Sequence, residues 1–310
     1  MIQPLDYFTE CEAVATTLTD IKLYISMIKG FAQHHECKVF WRGQSNHAWG
    51  LLSSLARKLA SFQLLDDKLL NRVEESLLKE AVGWISDLSM APYREPLAKL
   101  AYMQHHGVPT RLLDFSQDPW VAVFFAAESA DQTDGRIFAI LVDNADVMKR
   151  IPHGTPWRKY KTNLVKVWDP TAAGVKFPRL EAQQGVLALG RLPSTRPIRT
   201  ARDPLAHNER RHLLAEEVRR ILSIPFKLSP FTPDSTGQEI PSGAHSPIGL
   251  TFRVHVDKES IRRNLAGVGS GRRIAPPSFT ATHRSLYPDA SGMVNHSPIL
   301  RGLSKGVLIR

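Results

Sequence analysis

The chain has 310 residues, is 43% hydrophobic and carries a formal net charge of +10. That length supports one large core or two small ones, and no stretch approaches the ~18 consecutive apolar residues of a membrane span. Cys11 and Cys37 are its only cysteines, too few for a disulfide framework. The N-terminus lacks the basic start and apolar run of a signal peptide, so the expectation is a soluble, cytoplasmic protein without a membrane partner.

In chain order, Thr19-Asp20 followed by Ile21, Tyr24, Ile25, Ile28 and Phe31 reads as an N-cap and a helical stripe. Lys38 to Trp41 reads as a short strand with Arg42-Gly43 at its exit, where glycine permits a turn or a close approach to a ligand. Asp66 to Ser89 carries Leu69, Leu70, Val73, Leu77, Trp84 and Leu88 at helical spacing. Pro96 to Gln104 is a further helix with Gly107 as its stop. Arg111 to Phe115 follows as a strand, and Asp118-Pro119 caps the apolar helix Trp120–Ala127. After the Asp134-Gly135 turn, Arg136 to Val142 is a buried strand. Residues 150–176 read as a basic loop, Leu180 to Leu189 as containing a short strand that begins near Gln183 and Gln184, and Asp203-Pro204 as the cap of a helix to about Leu222. Residues 229–249 form a Pro/Gly/Ser-rich loop. Leu250 to Val256 alternates as a half-buried strand, and a last helix starts near Lys258. The class is α+β.

The charge is uneven. Residues 149–179 hold eight Lys/Arg against Asp169 alone, and residues 191–227 hold nine against Asp203, Glu209, Glu216 and Glu217. Such stretches attract phosphate, on a nucleotide or on nucleic acid, or form a solvated basic surface.

Several polar residues stand out, each with two readings. Arg42, between Trp41 and Gly43, either offers a fork to a phosphate or carboxylate or makes a structural ion pair. Adjacent His105 and His106 point in different directions and have no carboxylate or cysteine at ligand spacing, so no metal site is expected. Asp114 needs a cationic partner, Arg111 or Arg42, if it is buried. Ser116 either touches a ligand or helps cap the following helix. Glu181 and Gln183 share one face if they lie on a strand, and there grip two sugar hydroxyls or form a solvated edge. Dinucleotide, P-loop, nucleophile-elbow and zincin signatures are absent.

Trp41-Arg42-Gly43-Gln44, the run Gln104 to Phe115 and the following Ala122 to Ala126 resemble the FRG domain family, with tryptophan in place of the aromatic of its F/Y-R-G motif. Arg179 to Val186 resembles that family's R-I-x-A-Q-Q-G segment, and Ser285 to Gly292 its closing S-L-F-P-D segment. The resemblance implies a single domain over 1–310, with 1–36 as an N-terminal helical extension. A weaker similarity links the order strand-Arg-Gly, strand-Phe-Ser-x-x-Pro-helix and [Glu/Gln]-x-[Glu/Gln] to ADP-ribosyltransferases. It implies a mixed split sheet flanked by helices and NAD as substrate. Arg42, Ser116, Glu181 and Gln183 would then be catalytic, and Arg42, Gly43, Gln44, His105, Thr110 and Arg111 would bind the nucleotide. The implied role is a toxin or antiphage effector with a nucleic-acid or protein target and a neighbouring antitoxin or defence partner. The alternatives are a non-catalytic nucleic-acid-binding module with a basic face and a metal-dependent nuclease using Asp114 and Glu181.

Overall fold

The computed structural model describes residues 4–61, 64–89, 92–193, 200–202, 210–231, 247–268 and 273–288. In chain order its strands are β1 (Ala13–Ala15), β2 (Lys38–Gln44), β3 (Leu113–Ser116), β4 (Gly135–Val142), β5 (Val147–Met148), β6 (Val165–Trp168), β7 (Gly185–Gly190), β8 (Thr200–Arg202), β9 (Arg210–His212), β10 (Lys227–Leu228) and β11 (Ile248–Val254). The helices are α1 (Pro4–Thr9), α2 (Leu18–His34), α3 (Ser54–Ala60), α4 (Asp67–Trp84), α5 (Pro96–His105), α6 (Pro119–Ala127), α7 (Pro178–Ala182), α8 (Ala215–Arg219), α9 (Lys258–Leu265) and α10 (His283–Leu286).

A mixed sheet runs β1-β11-β4-β2-β3-β7-β6-β5, with β10 also on β11. The β1–β11, β10–β11 and β5–β6 pairs are parallel, and the other pairs of this sheet are antiparallel. The fold is α+β with a large mixed sheet flanked by helices, as the element pattern predicts. β4 is buried at every position, because both its faces are covered. One face carries Trp41, Ile137, Ala139 and Phe252 against α2, α6 and α9. The other carries Phe40, Phe138, Phe115 and Val186 against Tyr7, Phe8 and the segment Leu213–Phe226. No helix among the described residues is long and apolar enough to cross a membrane.

The strand pairing is uneven in a way that matters. β2 pairs β4 through seven consecutive positions but meets β3 only at Trp41↔Ser116. Beyond that point β2 and β3 form no further pairs, which leaves a local split between these two strands of a continuous sheet. α6 lies across β2 at this place. It is apolar all round and almost wholly buried, as a helix packed on both sides must be. A Cβ on Gly43 would sit 1.8 Å from the Ala122 carbonyl oxygen and 2.7 Å from the Ala126 nitrogen. The glycine after Arg42 therefore makes room for a helix backbone.

The structure corrects several local readings. α2 is capped by Thr17, and Asp20 closes the capping box from the third helical position. The basic stretch 150–176 contains β6, whose Val165, Val167 and Trp168 are buried. Glu181 lies in α7, because Pro178 starts a helix there, so it does not share a strand face with Gln183. Arg210–His212 is a strand paired with β8; of the helix expected from Asp203 only α8 is present, and Asp203 to Glu209 lie outside the described residues. So do residues 232–246 of the Pro/Gly/Ser-rich stretch. The N-terminal residues add β1 to the sheet as well as helices. Cys11 and Cys37 are free thiols.

Gly43→Ala is expected to lower stability at or above the upper end of the ~1–3 kcal/mol typical of overpacking, because backbone rather than a movable side chain blocks the new methyl. Urea denaturation measures this; an unchanged midpoint would show that α6 does not need this approach.

Candidate functional site

A cavity of about 290 Å³ opens at the split between β2 and β3, at the lower end of the ~300–1,000 Å³ usual for ligand clefts. The end of β2 supplies Trp41, Arg42 and Gly43; α5 supplies Gln104 and His105; β3 supplies Asp114 and Ser116. α6 contributes Val121, Ala122 and Phe125. The opposite wall is Phe177, Arg179 and Gln183 around α7, with Tyr287 after α10. Segments far apart in the chain therefore converge on one concavity.

Arg42 spans the split. Its Nη1 donates to the Asp114 carbonyl oxygen at 2.7 Å and lies 3.9 Å from the Asp114 carboxylate. Its side chain is 18% exposed, and its buried Nε has no hydrogen-bond acceptor. The indole N–H of Trp41, a residue 1% exposed, is likewise unpartnered. Buried donors without acceptors are rare and costly, and these two belong to adjacent residues lining one cavity. Burial pushes the Arg42 pKa below its ordinary value, Asp114 opposes that, and Arg57 adds to it; a guanidinium stays charged regardless.

The carboxylate of Asp114 is held from the other side. Gln104 Nε2 donates to Asp114 Oδ1 at 2.6 Å, and Thr110 Oγ1 donates to Gln104 Oε1. The Thr110–Gln104–Asp114 chain orients a half-exposed carboxylate toward the cavity. α5 ends as its capping requires, with Gly107 at φ +83° turning the chain toward β3.

Ser116 is engaged on both sides. Its hydroxyl donates to the Gln183 carbonyl at 2.7 Å and accepts from the Asp118 amide at 2.9 Å. Gln117 N–H donates to the Gln184 carbonyl at 3.0 Å. Gln184 sits at φ +46°, a left-handed turn that reverses the chain from α7 into β7. The Gln183-Gln184 pair is thus a turn clamped to the end of β3. The Gln183 side chain reaches onward, Nε2 donating to the Leu286 carbonyl at 2.9 Å, which holds the closing segment against the cavity.

There Tyr287 donates its hydroxyl to Glu128 at 2.8 Å, and the Arg179 guanidinium lies 5.1 Å from its ring centroid, a cation–π contact. Burial, then the Glu128 carboxylate, pushes the Tyr287 phenol far above its ordinary value of 10.0. His105 stacks on Phe177 at 4.9 Å, and its ring meets that of His106 edge to face.

Of the residues expected from sequence, Arg42, Gly43, His105, Ser116 and Gln183 line the cavity; Gln44, Thr110, Arg111 and Glu181 do not. Gln44 donates to the Gly50 carbonyl at 3.2 Å. Thr110 acts through Gln104. Arg111 is buried in a network with Glu74, whose carboxylate also accepts from Trp157 Nε1 and Arg158, while Arg111 Nη2 reaches Asn71. Glu181 is exposed on α7. Asp114 lines the cavity and Glu181 does not. Among the described residues no three or more His, Cys, Asp or Glu are grouped to hold a metal ion. Sequence reasoning assigned no role to Phe177, Arg179 or Tyr287. Their signal was present, since Arg179 and Tyr287 lie inside the downstream motif segments. Glu74 was also legible, as a charge on the apolar stripe of α4 with Leu70 and Val73.

The FRG domain family model matches residues 37–135. The match covers β2, α5, β3, α6 and the start of β4, which carry Arg42 and Asp114. No curated protein and no solved structure matches the chain.

Two outcomes follow. Glu74→Ala leaves Arg111 buried without its carboxylate and is expected to cost ~3–5 kcal/mol; Glu74→Leu with Arg111→Met should recover much of this, both read from denaturant midpoints. For Tyr287 the folded pKa is raised, so its stabilising contribution is complete below the unfolded value of 10.0 and is lost as pH rises above it. Between pH 9 and pH 11 the wild type should lose more unfolding free energy than Tyr287→Phe; parallel curves would deny the phenol this role.

Proposed function

We propose that the cavity binds NAD and cleaves its nicotinamide–ribose bond, passing the ADP-ribosyl group to a macromolecule or to water, on an ADP-ribosyltransferase-like split sheet. One observation carries the reading: a charged, largely buried guanidinium at the strand split lines a cavity of about 290 Å³. A guanidinium fork there suits a phosphate or a ribose oxygen of the nucleotide. Trp41, Phe125 and Phe177 offer the apolar walls a flat nicotinamide ring needs. The nicotinamide-riboside half would occupy the cavity, with the adenylate half extending outward toward solvent.

Cleavage of the C1′–N bond sends its electron pair to nicotinamide and leaves positive charge on the ribose, which a nearby carboxylate stabilises. Asp114 has the position for this role, steadied by Gln104 and Arg42. Gln183 offers its side-chain carbonyl to a ribose hydroxyl. His105 shapes the pocket, and Ser116 supports the ligand by fixing the Gln183 turn. The incoming oxygen or nitrogen bonds to C1′ and loses its proton to solvent or to Asp114. A chain with this activity would serve as a toxin or antiphage effector, restrained by a neighbouring antitoxin or defence partner.

Nicotinamide release from NAD by the purified chain is expected, and Arg42→Ala should reduce it by at least ~10²-fold while circular dichroism stays native. Loss of release in Asp114→Asn with retention in Glu181→Ala would give the carboxylate role to Asp114. Wild-type turnover by Arg42→Ala would sink the assignment.

A further inference from the structure

The segment 149–179 folds as an aromatic anchor with a basic exterior. Trp157 and Trp168 are fully buried, and with Val175 and Phe177 they pack against Leu97, Leu100 and Ala101 of α5. This fixes the segment at the outer edge of the sheet, where β5 lies beside β6. Its cations face outward. Lys149, Arg150, Lys159 and Lys161 are all exposed, and topology gathers them. Lys149 and Arg150 leave the end of β5 directly after Met148; Tyr160, flanked by Lys159 and Lys161, donates its hydroxyl to Met148 Sδ at 3.7 Å. The chain neighbours of two basic pairs are therefore in contact at one corner.

The carboxylates that approach this corner are already engaged. Asp146 is paired with Lys166. Asp169 accepts from the Ala172 amide and from Gln117. Glu95 accepts from the Gly154 amide and contacts His153. Among the described residues no carboxylate pairs with Lys149, Arg150, Lys159 or Lys161. Exposed cations without a direct ion-pair partner, in a segment with a net surplus of seven positive charges, concentrate polyanions, and a polynucleotide supplies evenly spaced phosphates. Phe177, at the end of the same segment, lines the cavity.

We infer that this corner is a polynucleotide-binding surface and that nucleic acid, rather than protein, is the macromolecular partner of the site. Its role as acceptor rests on the transferase reading above; the binding surface stands without it. The three lysines and Arg150 contact phosphates and carry no base specificity, so binding is salt-sensitive and tolerant of sequence.

The test is fluorescence anisotropy of the full chain with labelled mixed-sequence single-stranded RNA and DNA. Four phosphate contacts predict a slope of about −2.8 in log K against log salt, or ~50-fold weaker binding from 50 to 200 mM salt. The variant with Lys149→Glu, Arg150→Glu, Lys159→Glu and Lys161→Glu should lose at least that factor with an unchanged melting temperature. Arg42→Ala should bind the oligonucleotides as the wild type does. Absence of nicotinamide release by the wild-type chain, with its oligonucleotide binding intact, would overturn the transferase reading alone. Equal binding by wild type and the fourfold variant, a flat salt dependence, or labelling of proteins but not oligonucleotides from adenine-labelled NAD would overturn this proposal.

Discussion

The close contact between α6 and the backbone of β2 at Gly43 governs the rest of the structure. With no side chain at that position, the Ala122 carbonyl lies where a Cβ would be, and the helix seats directly on the strand. Seated there, α6 holds Val121, Ala122 and Phe125 over the point where β2 and β3 part. The split would be an unsupported gap without this roof. Arg42 then bridges it by hydrogen bonding to the Asp114 carbonyl, which substitutes for the ladder bonds that the two strands do not make.

The polar residues divide into two kinds. One group is buried and fully occupied with holding elements together. Arg111 with Glu74 ties β3's approach to α4, and Arg136 with Glu12 ties β4 to the N-terminal region through two hydrogen bonds. Lys258 is caged by the carbonyls of Ser45, Ser129 and Ala130. These pairs fix geometry, and a buried ion pair is weak evidence for net stability. The other group lines the cavity: Trp41, Arg42 and the half-exposed carboxylate of Asp114.

Sequence signals differed in how far they reached. Local patterns with strong chemistry were readable: the Asp118-Pro119 start of α6, the continuous apolar run of β4 and the glycine stop after α5. Weak or short signals failed where a single residue reversed them. Pro178 and the left-handed Gln184 turned an apparent strand start into a helix and a tight turn, which moved Glu181 out to solvent. Arg111 and Arg42 looked alike in sequence, each beside apolar residues near a strand. Their fates diverged because Glu74, one turn along α4 from Leu70, met Arg111 and nothing of that kind met the Nε of Arg42.

The sequence by itself determined the α+β class, the main helices and central strands, the motif segments and the uneven basic charge. These follow from periodicity, capping and composition, all of which act over a few residues. Only the tertiary structure decided which motif residues face one another. Convergence of β2, α5, β3, α7 and the segment after α10 on one cavity depends on strand order and on a single β2–β3 pairing. Those are long-range contacts between residues far apart in the chain, and no local pattern encodes which arginine is neutralised and which is left with a donor to offer.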